Sequence, residues 1–174
     1  MNETYAAPPI TTKHESEQIN TLIAWLNDAH AMERALVVVF EKQAKDTEGI
    51  RGLHSRIVAH LEETKGHAEK IEECIRRNGG DLSIPKDVGA QMGAVIGGLS
   101  ISMWEDSIVK NLLKSYSAEH FEIASYLAIR AAALEVGDVE TADVCNDILQ
   151  DEVRMAEWLR EHISLVVAKH MADL

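Results

Sequence analysis

The 174-residue sequence is poor in cysteine, proline and aromatic residues, with two Cys, three Pro and 5% aromatic side chains. Cys74 and Cys145 are far apart and form no CxxC pattern, so we expect buried thiols in a reducing compartment rather than a disulfide framework or a four-cysteine metal module. The low proline and aromatic content, with abundant alanine, favours an all-helical fold. Walker-type and dinucleotide-type glycine patterns and a nucleophile-elbow serine are also missing from the sequence.

Basic residues are scarce as well: 17 Lys and Arg stand against 29 Asp and Glu, a net charge of -12. Binding to nucleic acid or to an anionic membrane surface needs an excess of Lys and Arg, so we expect neither partner. Uncharged stretches fall short of the roughly 18 residues that a membrane-spanning helix needs. Residues 1–12 lack the basic and apolar regions of a signal peptide, and we therefore expect a cytoplasmic protein.

Apolar residues recur with a helical period over four long stretches of the chain. Residues 1–12 show no such period and are expected to form a flexible tail before a single domain over residues 13–174. Two short turns would make antiparallel pairs of the first two and the last two helices. Residues 78–103, rich in glycine and small apolar side chains, separate the pairs and are expected to contain one or two short helices. This pattern predicts an all-α fold, an antiparallel four-helix bundle with a long crossover between its second and third helices, as in ferritin-like bundles.

Residues with strong local preferences mark the expected helix ends. The first helix is expected from about Ser16 to about Lys45, and Asp46 or Thr47 is expected to be the N-cap of the second helix. The other boundaries are expected at Asn78-Gly79-Gly80 for the end of the second helix, around Trp104 and at Gly137 for the third, and at Asp138 and near His170 for the fourth.

Glutamates with matching separations suggest a site inside this bundle. Glu33 and Glu63 stand thirty residues apart, and Glu122 and Glu152 repeat that separation near the other end of the chain. Helical positions place Glu33 and Glu152 at the centre of an apolar stripe, while Glu119 and Glu122 fall on the buried arc of the third helix. A single helical glutamate is usually solvated, but several converging in a core would cost several kcal/mol each without a positive partner. Because the inward faces carry no Lys or Arg, the pattern predicts bound cations.

The second helix adds imidazole side chains to these carboxylates. His60 lies at the centre of its stripe and Glu63 toward one edge, with His67 between them. Ligation by His67, or by His30 three residues before Glu33, stays open, and His60 could instead be a satisfied core histidine. Carboxylates with one or two imidazoles suit iron or manganese and argue against structural zinc. Bridging carboxylates can hold two such ions close enough to bind dioxygen or peroxide between them.

The chain resembles the YciE/YciF family of ferritin-like stress-associated proteins over roughly residues 17–165. The likeness is carried by Asp28-Ala29-x-x-x-Glu33, by His60-Leu61-Glu62-Glu63-Thr64, by the run from Glu119 to Tyr126 and by the acidic pair Asp151-Glu152. The resemblance implies a ferritin-like bundle, a homodimer and a dinuclear metal centre with two iron ions per chain, or manganese as the alternative. Carried over by position, the metal ligands would be Glu33, His60, Glu63, Glu119, Glu122 and Glu152.

The sequence departs from the wider superfamily in its nitrogen ligands. The usual scheme has Glu-x-x-His on two helices, whereas the positions three residues after Glu63 and Glu152 are Gly66 and Met155. This leaves fewer nitrogen donors and argues against the classical ferroxidase and manganese-catalase chemistries, while oxidation of bound iron by another route stays open. The extra carboxylate on the third helix is similar to that of rubrerythrins, which favours peroxide handling.

Three functions are consistent with these features. The first is a di-iron protein that oxidises iron or reduces peroxide or dioxygen in a stress response. The sequence leaves open whether the protein is an enzyme, with oxidase or peroxidase activity. The second is a non-catalytic helical dimer that binds metal for stability or iron sequestration. The third, an iron-storage cage, is less expected because the extra helical element lies in the crossover and not at the C-terminus.

Overall fold

The computed structural model describes residues 12–83 and 108–172 of the chain. This part of the chain folds into four helices without a strand: α1 (Lys13–Asp46), α2 (Arg51–Arg77), α3 (Ile108–Glu135) and α4 (Val139–Ala172). α1 packs against α2 and α3, and α4 packs against α3 and α2. The short connections after α1 and after α3 make two antiparallel pairs. The predicted all-α four-helix bundle is confirmed.

The start of α1 is set by a capping box at Thr12. The backbone N–H of Glu15 donates to Thr12 Oγ1 at 3.2 Å, and the N–H of Thr12 donates to Glu15 Oε2 at 2.6 Å. Two N–H groups that a helix start leaves unpaired are satisfied by this exchange. The helix therefore begins at Lys13, three residues before the expected Ser16.

Part of the sequence prediction lies outside the described residues. The rest of the proposed tail, the short helices of the crossover and the expected helix start at Trp104 fall in residues 1–11 and 84–107. The described part of α3 begins at Ile108. The tail and the domain limits of 13–174 stay predictions.

The predicted N-cap of the second helix is wrong. Thr47 ends α1 instead: its hydroxyl donates to the carbonyl oxygen of Gln43 at 2.8 Å, and its N–H bonds back to the last turn. This hydroxyl is turned toward the preceding helix and cannot accept from the next one. Asp46 is the last residue of α1, and α2 starts after Ile50, whose side chain makes no capping hydrogen bond.

The other helix ends match the glycine and aspartate signals. Gly79 and Gly137 have φ of 76° and 77°, the left-handed conformation that glycine adopts at low cost after a helix. Asp138 Oδ1 accepts a hydrogen bond from the N–H of Thr141 at 3.0 Å, so the predicted cap of α4 is confirmed. α4 continues to Ala172, two residues past the expected end.

A polar layer interrupts the apolar core near the middle of the bundle. On α1, Glu33 is buried between Leu26 and Phe40, and on α4, Glu152 is buried between Ile148 and Leu159. Both helices therefore have an apolar inward face on either side of the polar residue, so these glutamates lie inside the core and away from water. None of the described helices is both long enough and apolar enough to span a membrane.

Candidate metal centre

The polar layer contains side chains from all four helices. α1 and α4 each contribute one glutamate, α3 contributes two, and α2 contributes two histidines. None of them is more than 1% exposed: Glu33, His60, His67, Glu119, Glu122 and Glu152. Six ionisable groups in a dry interior are rare in proteins unless they are paired or bind an ion.

Three of these side chains form a first group of possible metal ligands. His67 Nδ1 lies 2.9 Å from Glu152 Oε1 and 3.7 Å from Glu33 Oε2. The ligand atoms of the group all lie within 4.8 Å of one another, which is close enough to surround a single ion.

A second group lies beside the first and shares Glu152 with it. His60 Nε2 is 3.3 Å from Glu119 Oε2 and 3.5 Å from Glu152 Oε2, and this group also fits within 4.8 Å. Glu152 thus directs Oε1 toward one group and Oε2 toward the other. Two ions, one bound in each group, would therefore share Glu152.

Both histidines are held by a carboxylate on the side facing away from the groups. His60 Nδ1 lies 2.9 Å from Glu63 Oε2, and His67 Nε2 lies 3.0 Å from Asp151 Oδ2. In a neutral imidazole one nitrogen carries the proton and the other a lone pair. An outer N–H that donates to a carboxylate leaves the inner lone pair directed into the cluster, as in many metal-binding histidines.

The structure places Glu63 outside both groups. Its side chain is 32% exposed and also accepts a hydrogen bond from Arg56 Nη1 at 3.1 Å. Burial alone would raise the pKa of Glu63, but His60 and Arg56 lower it to about 2. Glu63 therefore stays ionised and is suited to orienting His60, while ligation by Glu63 stays a prediction.

Of the two histidines that the sequence left open, His67 lies in the cluster and His30 does not. His30 is buried, but its Nε2 is 4.0 Å from Glu72 and it belongs to neither group. The sequence feature that could have identified His67 as a member of the cluster is its spacing from His60. Seven residues are about two helical turns, so both side chains project from the same face of α2.

Glu122 and Tyr126 complete the layer. Burial, together with the charges of Glu152, Glu33 and Glu119, raises the pKa of Glu122 well above its usual value. The Tyr126 hydroxyl is buried and donates a short hydrogen bond to Glu33 Oε1. This bond leaves Glu33 Oε2 directed toward the first group.

Eight buried side-chain atoms in the described residues make no hydrogen bond, and all of them belong to this cluster. They are one carboxylate oxygen each of Glu33 and Glu122, both oxygens of Glu119 and Glu152, and the inner nitrogens His60 Nε2 and His67 Nδ1. Some lie close to an opposite charge, such as His67 Nδ1 at 2.9 Å from Glu152 Oε1, but are not aligned for a hydrogen bond. Buried polar atoms normally have partners, because an unsatisfied one costs about 1–3 kcal/mol. Six carboxylate oxygens and two imidazole nitrogens fit the donor set of an oxygen-rich metal site.

Proton binding reflects the crowding of negative charge. Burial would lower the pKa of both imidazoles, but nearby carboxylates raise it to about 10 for His60 and for His67. Burial raises the pKa of Glu119 to about 8 despite the opposing effect of His60. Without a metal ion, the cluster therefore retains protons at neutral pH, and a cation that binds there has to displace them.

The sequence as a whole matches a known family. The family model described as "Domain of unknown function (DUF892)" covers residues 18–172. The chain belongs to this family. Protein YciF of Escherichia coli K12 is 27% identical over an alignment of 138 positions, which covers 76% of this chain and 82% of YciF. The crystal structure of the E. coli stress protein YciF superposes with a TM-score of 0.73 at 23% identity, covering 91% of this chain and 99% of that one. The resemblance seen in the sequence is confirmed.

Two further solved structures support the fold. A protein from Xanthomonas campestris pv. campestris is 33% identical, with a TM-score of 0.77 over 90% of this chain and 97% of that one. Ferritin-like, diiron-carboxylate proteins from Bacillus anthracis Ames superpose with a TM-score of 0.69 at 21% identity, over 84% of this chain and 97% of theirs. At that identity the second likeness shows the fold alone. The bundle is therefore a ferritin-like one.

Proposed function

We propose that this protein is a cytoplasmic homodimer that binds two iron ions per chain and oxidises iron(II), or reduces peroxide or dioxygen, in a stress response. One ion would be held by Glu33, His67 and Glu152, and the other by His60, Glu119 and Glu152, with Glu122 beside both. The observation that carries the proposal is the set of eight buried ligand atoms without hydrogen-bond partners. Two ions would satisfy these atoms and neutralise the buried charge.

The donor atoms favour iron, with manganese as the alternative. Each group offers carboxylate oxygens and one imidazole nitrogen, a set suited to iron or manganese and not to a thiolate-rich zinc site. Cys74 and Cys145 lie in the apolar core and in neither group. The Bacillus anthracis proteins of this fold are diiron-carboxylate proteins, which supports the same choice.

The side chains around the ions would control orientation, water and protons. Iron, when bound, supplies the electron transfer to dioxygen or peroxide. Glu63 and Asp151 hold the two imidazoles with their inner nitrogens toward the ions. The Phe40 ring packs edge-on against the His60 ring, with 4.9 Å between the ring centroids, and shields the imidazole from water. Glu122, whose pKa is raised by burial, can hold a proton on a carboxylate oxygen next to the reacting centre.

Iron binding and oxidation test the proposal. Protein purified without added metal is analysed for its elements, and iron(II) is then added in air while the ultraviolet absorption of oxidised iron is recorded. We expect about two iron ions per wild-type chain, and loss of both in Glu152→Ala because that residue serves both groups. Glu161→Ala, an exposed glutamate on the same helix, is the matched control. Identical spectra for wild type and Glu152→Ala would contradict the proposal.

The complete burial of the ligands favours one alternative, a metal site that stabilises the bundle or sequesters iron without catalysis. None of the six side chains is more than 1% exposed, so a substrate would have to reach them through a transient opening. In this case metal removal lowers the melting temperature, while peroxide consumption by the iron-loaded protein stays at the background of free buffer. Peroxide consumption that disappears in Glu152→Ala would exclude this alternative.

A further inference from the structure

A groove lies on the surface of the bundle between α3 and α4. It has a volume of about 330 Å³, and small-molecule sites in proteins have volumes of about 300–1,000 Å³. The half-buried side chains of Tyr116, Ile123 and Val153 and the buried Ala156 form most of its lining. The groove is therefore large enough, and apolar enough, for the body of a small organic molecule.

The floor of the groove comes from the same helical turns as two carboxylates of the metal centre. Ile123 is four residues after Glu119 on α3, and Ala156 is four residues after Glu152 on α4. Residues four apart on a helix have Cβ atoms about 5–6 Å from each other. Val153, which also lines the groove, follows Glu152 directly. The groove therefore lies within about one helical turn of two carboxylates of the second ligand group.

The charged side chains of the groove are at its rim and have opposite signs. Glu157 and Arg160 are both exposed, as is His120, whose ring packs edge-on against the Tyr116 ring with 4.6 Å between the centroids. The two rim charges balance each other, and the net charge of -12 on the whole chain repels anions. An uncharged molecule with an apolar body and a polar end matches this surface.

The side of the metal centre that lies behind the histidines has a different character. There, Glu63 pairs with Arg56 at 3.1 Å, and Asp151 pairs with Arg154. An apolar body at that position would remove charged groups from water without replacing their hydration, which is costly. The groove between α3 and α4 is therefore the side on which an apolar body can lie next to the centre.

Organic hydroperoxides combine an apolar body with an uncharged, polar O–O–H end. Their reduction breaks the O–O bond, takes up two protons and takes one electron from each of two iron(II) ions, and it releases an alcohol and water. The alcohol retains the apolar body, so the substrate and the product can occupy the same groove. Hydrogen peroxide has no such body and would gain nothing from the groove.

We infer that the groove between α3 and α4 binds the apolar body of an organic hydroperoxide, which is reduced at the neighbouring metal centre. This inference rests on the proposed function and names its substrate class. Ile123 and Val153 contact the body of the substrate and determine specificity, while the metal centre acts on the O–O bond.

Binding to the metal-free protein tests the groove without any activity. The probe is cumyl alcohol, the product of cumene hydroperoxide reduction, and its binding is followed by the methyl NMR signals of the protein. The signals of Ile123 and Ala156 should shift in the wild type. Shifts that are confined to other parts of the protein, or no shifts, overturn the inference without the need for a variant.

A matched pair of valine variants tests the same groove. Val153→Phe fills the groove and should weaken the binding of cumyl alcohol by about tenfold or more. Val144→Phe makes the same change at another half-buried valine of α4, outside the groove, and should bind like the wild type. Equal affinities for all three proteins would contradict the inference.

Oxidation of bound iron measures the choice of substrate. Protein loaded with iron(II) without air is mixed with cumene hydroperoxide or with hydrogen peroxide, and the absorption of iron(III) is recorded over time. The wild type should react faster with cumene hydroperoxide than with hydrogen peroxide at the same concentration. Val153→Phe should slow the first reaction by about tenfold or more and change the second only slightly, whereas Val144→Phe should alter neither.

The outcomes separate this inference from the wider proposal. Iron oxidation by hydrogen peroxide but not by cumene hydroperoxide overturns the inference alone. The same holds if Val153→Phe slows both reactions equally, because the groove then does not select the substrate. If iron is bound but neither peroxide oxidises it, peroxide reduction by this protein is wrong and the inference fails with it.

Discussion

Two polar clusters in this bundle differ in burial and in how fully they are paired. Where α2 ends beside the start of α4, Arg77 Nη2 donates to Thr141 Oγ1 at 2.7 Å, and Asn78 Nδ2 donates to Asp138 Oδ2 at 2.7 Å. Thr141 is fully buried, yet its hydroxyl is hydrogen-bonded. In the metal centre, residues buried to the same extent leave eight atoms without partners. Both clusters contain fully buried polar side chains, and the atoms without a hydrogen bond distinguish the candidate ligand site from the structural contact.

The difference comes from the balance of donors and acceptors. The cluster at the helix ends contains a guanidinium and an amide, which donate, beside the carboxylate and the hydroxyl that accept. The metal centre has four buried carboxylates and two imidazoles, so acceptors exceed donors. Only added cations or protons can correct that excess.

The largest expected effect is the pH dependence of the metal-free protein. The pKa of His60 and of His67 is raised from 6.5 to about 10 in the folded state. A raised pKa stabilises the fold below pH 6.5, and this stabilisation is lost as the pH rises toward about 10. Since one unit of pKa corresponds to about 1.4 kcal/mol, we expect the free energy of unfolding to fall by several kcal/mol across this interval, measured by urea denaturation with a chelator present.

The iron-loaded protein is the control for this prediction. Iron binding requires deprotonated imidazoles, so the affinity for iron rises with pH and offsets the loss of stability. The loaded protein should therefore lose less stability than the metal-free protein between pH 6.5 and about 10. Equal slopes for the two forms would mean that these histidines are not the groups that bind the metal.

Replacing Glu122 should separate stability from metal binding. Glu122→Met removes a buried carboxyl group with an unpaired oxygen, so the metal-free protein should become about 1–4 kcal/mol more stable while iron affinity falls. In Glu119→Met the buried imidazole of His60 loses a carboxylate whose Oε2 lies 3.3 Å from its Nε2, and loss of this opposite charge should destabilise the protein. Thermal unfolding and iron titration of both variants check the prediction, and equal stability changes would contradict it.

The carboxylates behind the histidines give a smaller effect. If Glu63 orients His60 without binding metal, Glu63→Ala should still bind two iron ions per chain, with affinity reduced about 10–100-fold. Asp151→Ala should behave in the same way through His67. If Glu63→Ala binds only one ion, Glu63 is a metal ligand, as the sequence predicts. Isothermal titration with iron(II) under anaerobic conditions measures both quantities.

The smallest effect is expected at the fully paired cluster. Asp138→Ala removes the N-cap of α4 and should cost about 0.5–2 kcal/mol in the free energy of unfolding. Iron stoichiometry and affinity should stay those of the wild type, because Asp138 lies outside the metal centre. A loss of iron in this variant would show that the two clusters are coupled.

Much of this architecture could be predicted from helical periodicity. The four helices, the glycine stops at Gly79 and Gly137 and the cap at Asp138 follow from local preferences that a sequence shows directly. The prediction failed at Thr47, because a threonine hydroxyl can bond either to the preceding turn or to the next helix. Local sequence does not decide between these partners.

The inward position of five predicted ligands was also readable from the sequence, since a helix turns by about 100° per residue whatever its neighbours are. The sequence did not show which of the α2 residues enter the cluster and which lie beside it. Glu63, His67 and His60 all lie near one stripe, and their partners on α3 and α4 decide which of them enter the cluster.

The sequence by itself determined that acidic and imidazole side chains would be carried into the core of a helical bundle, because apolar periodicity fixes the inward face of each helix. Only the tertiary structure decided that Glu152 would serve two groups and that Glu63 would remain at the edge. The reason is that a helix sets the direction of its side chains locally, whereas the distances between side chains on different helices depend on how those helices are aligned along the bundle.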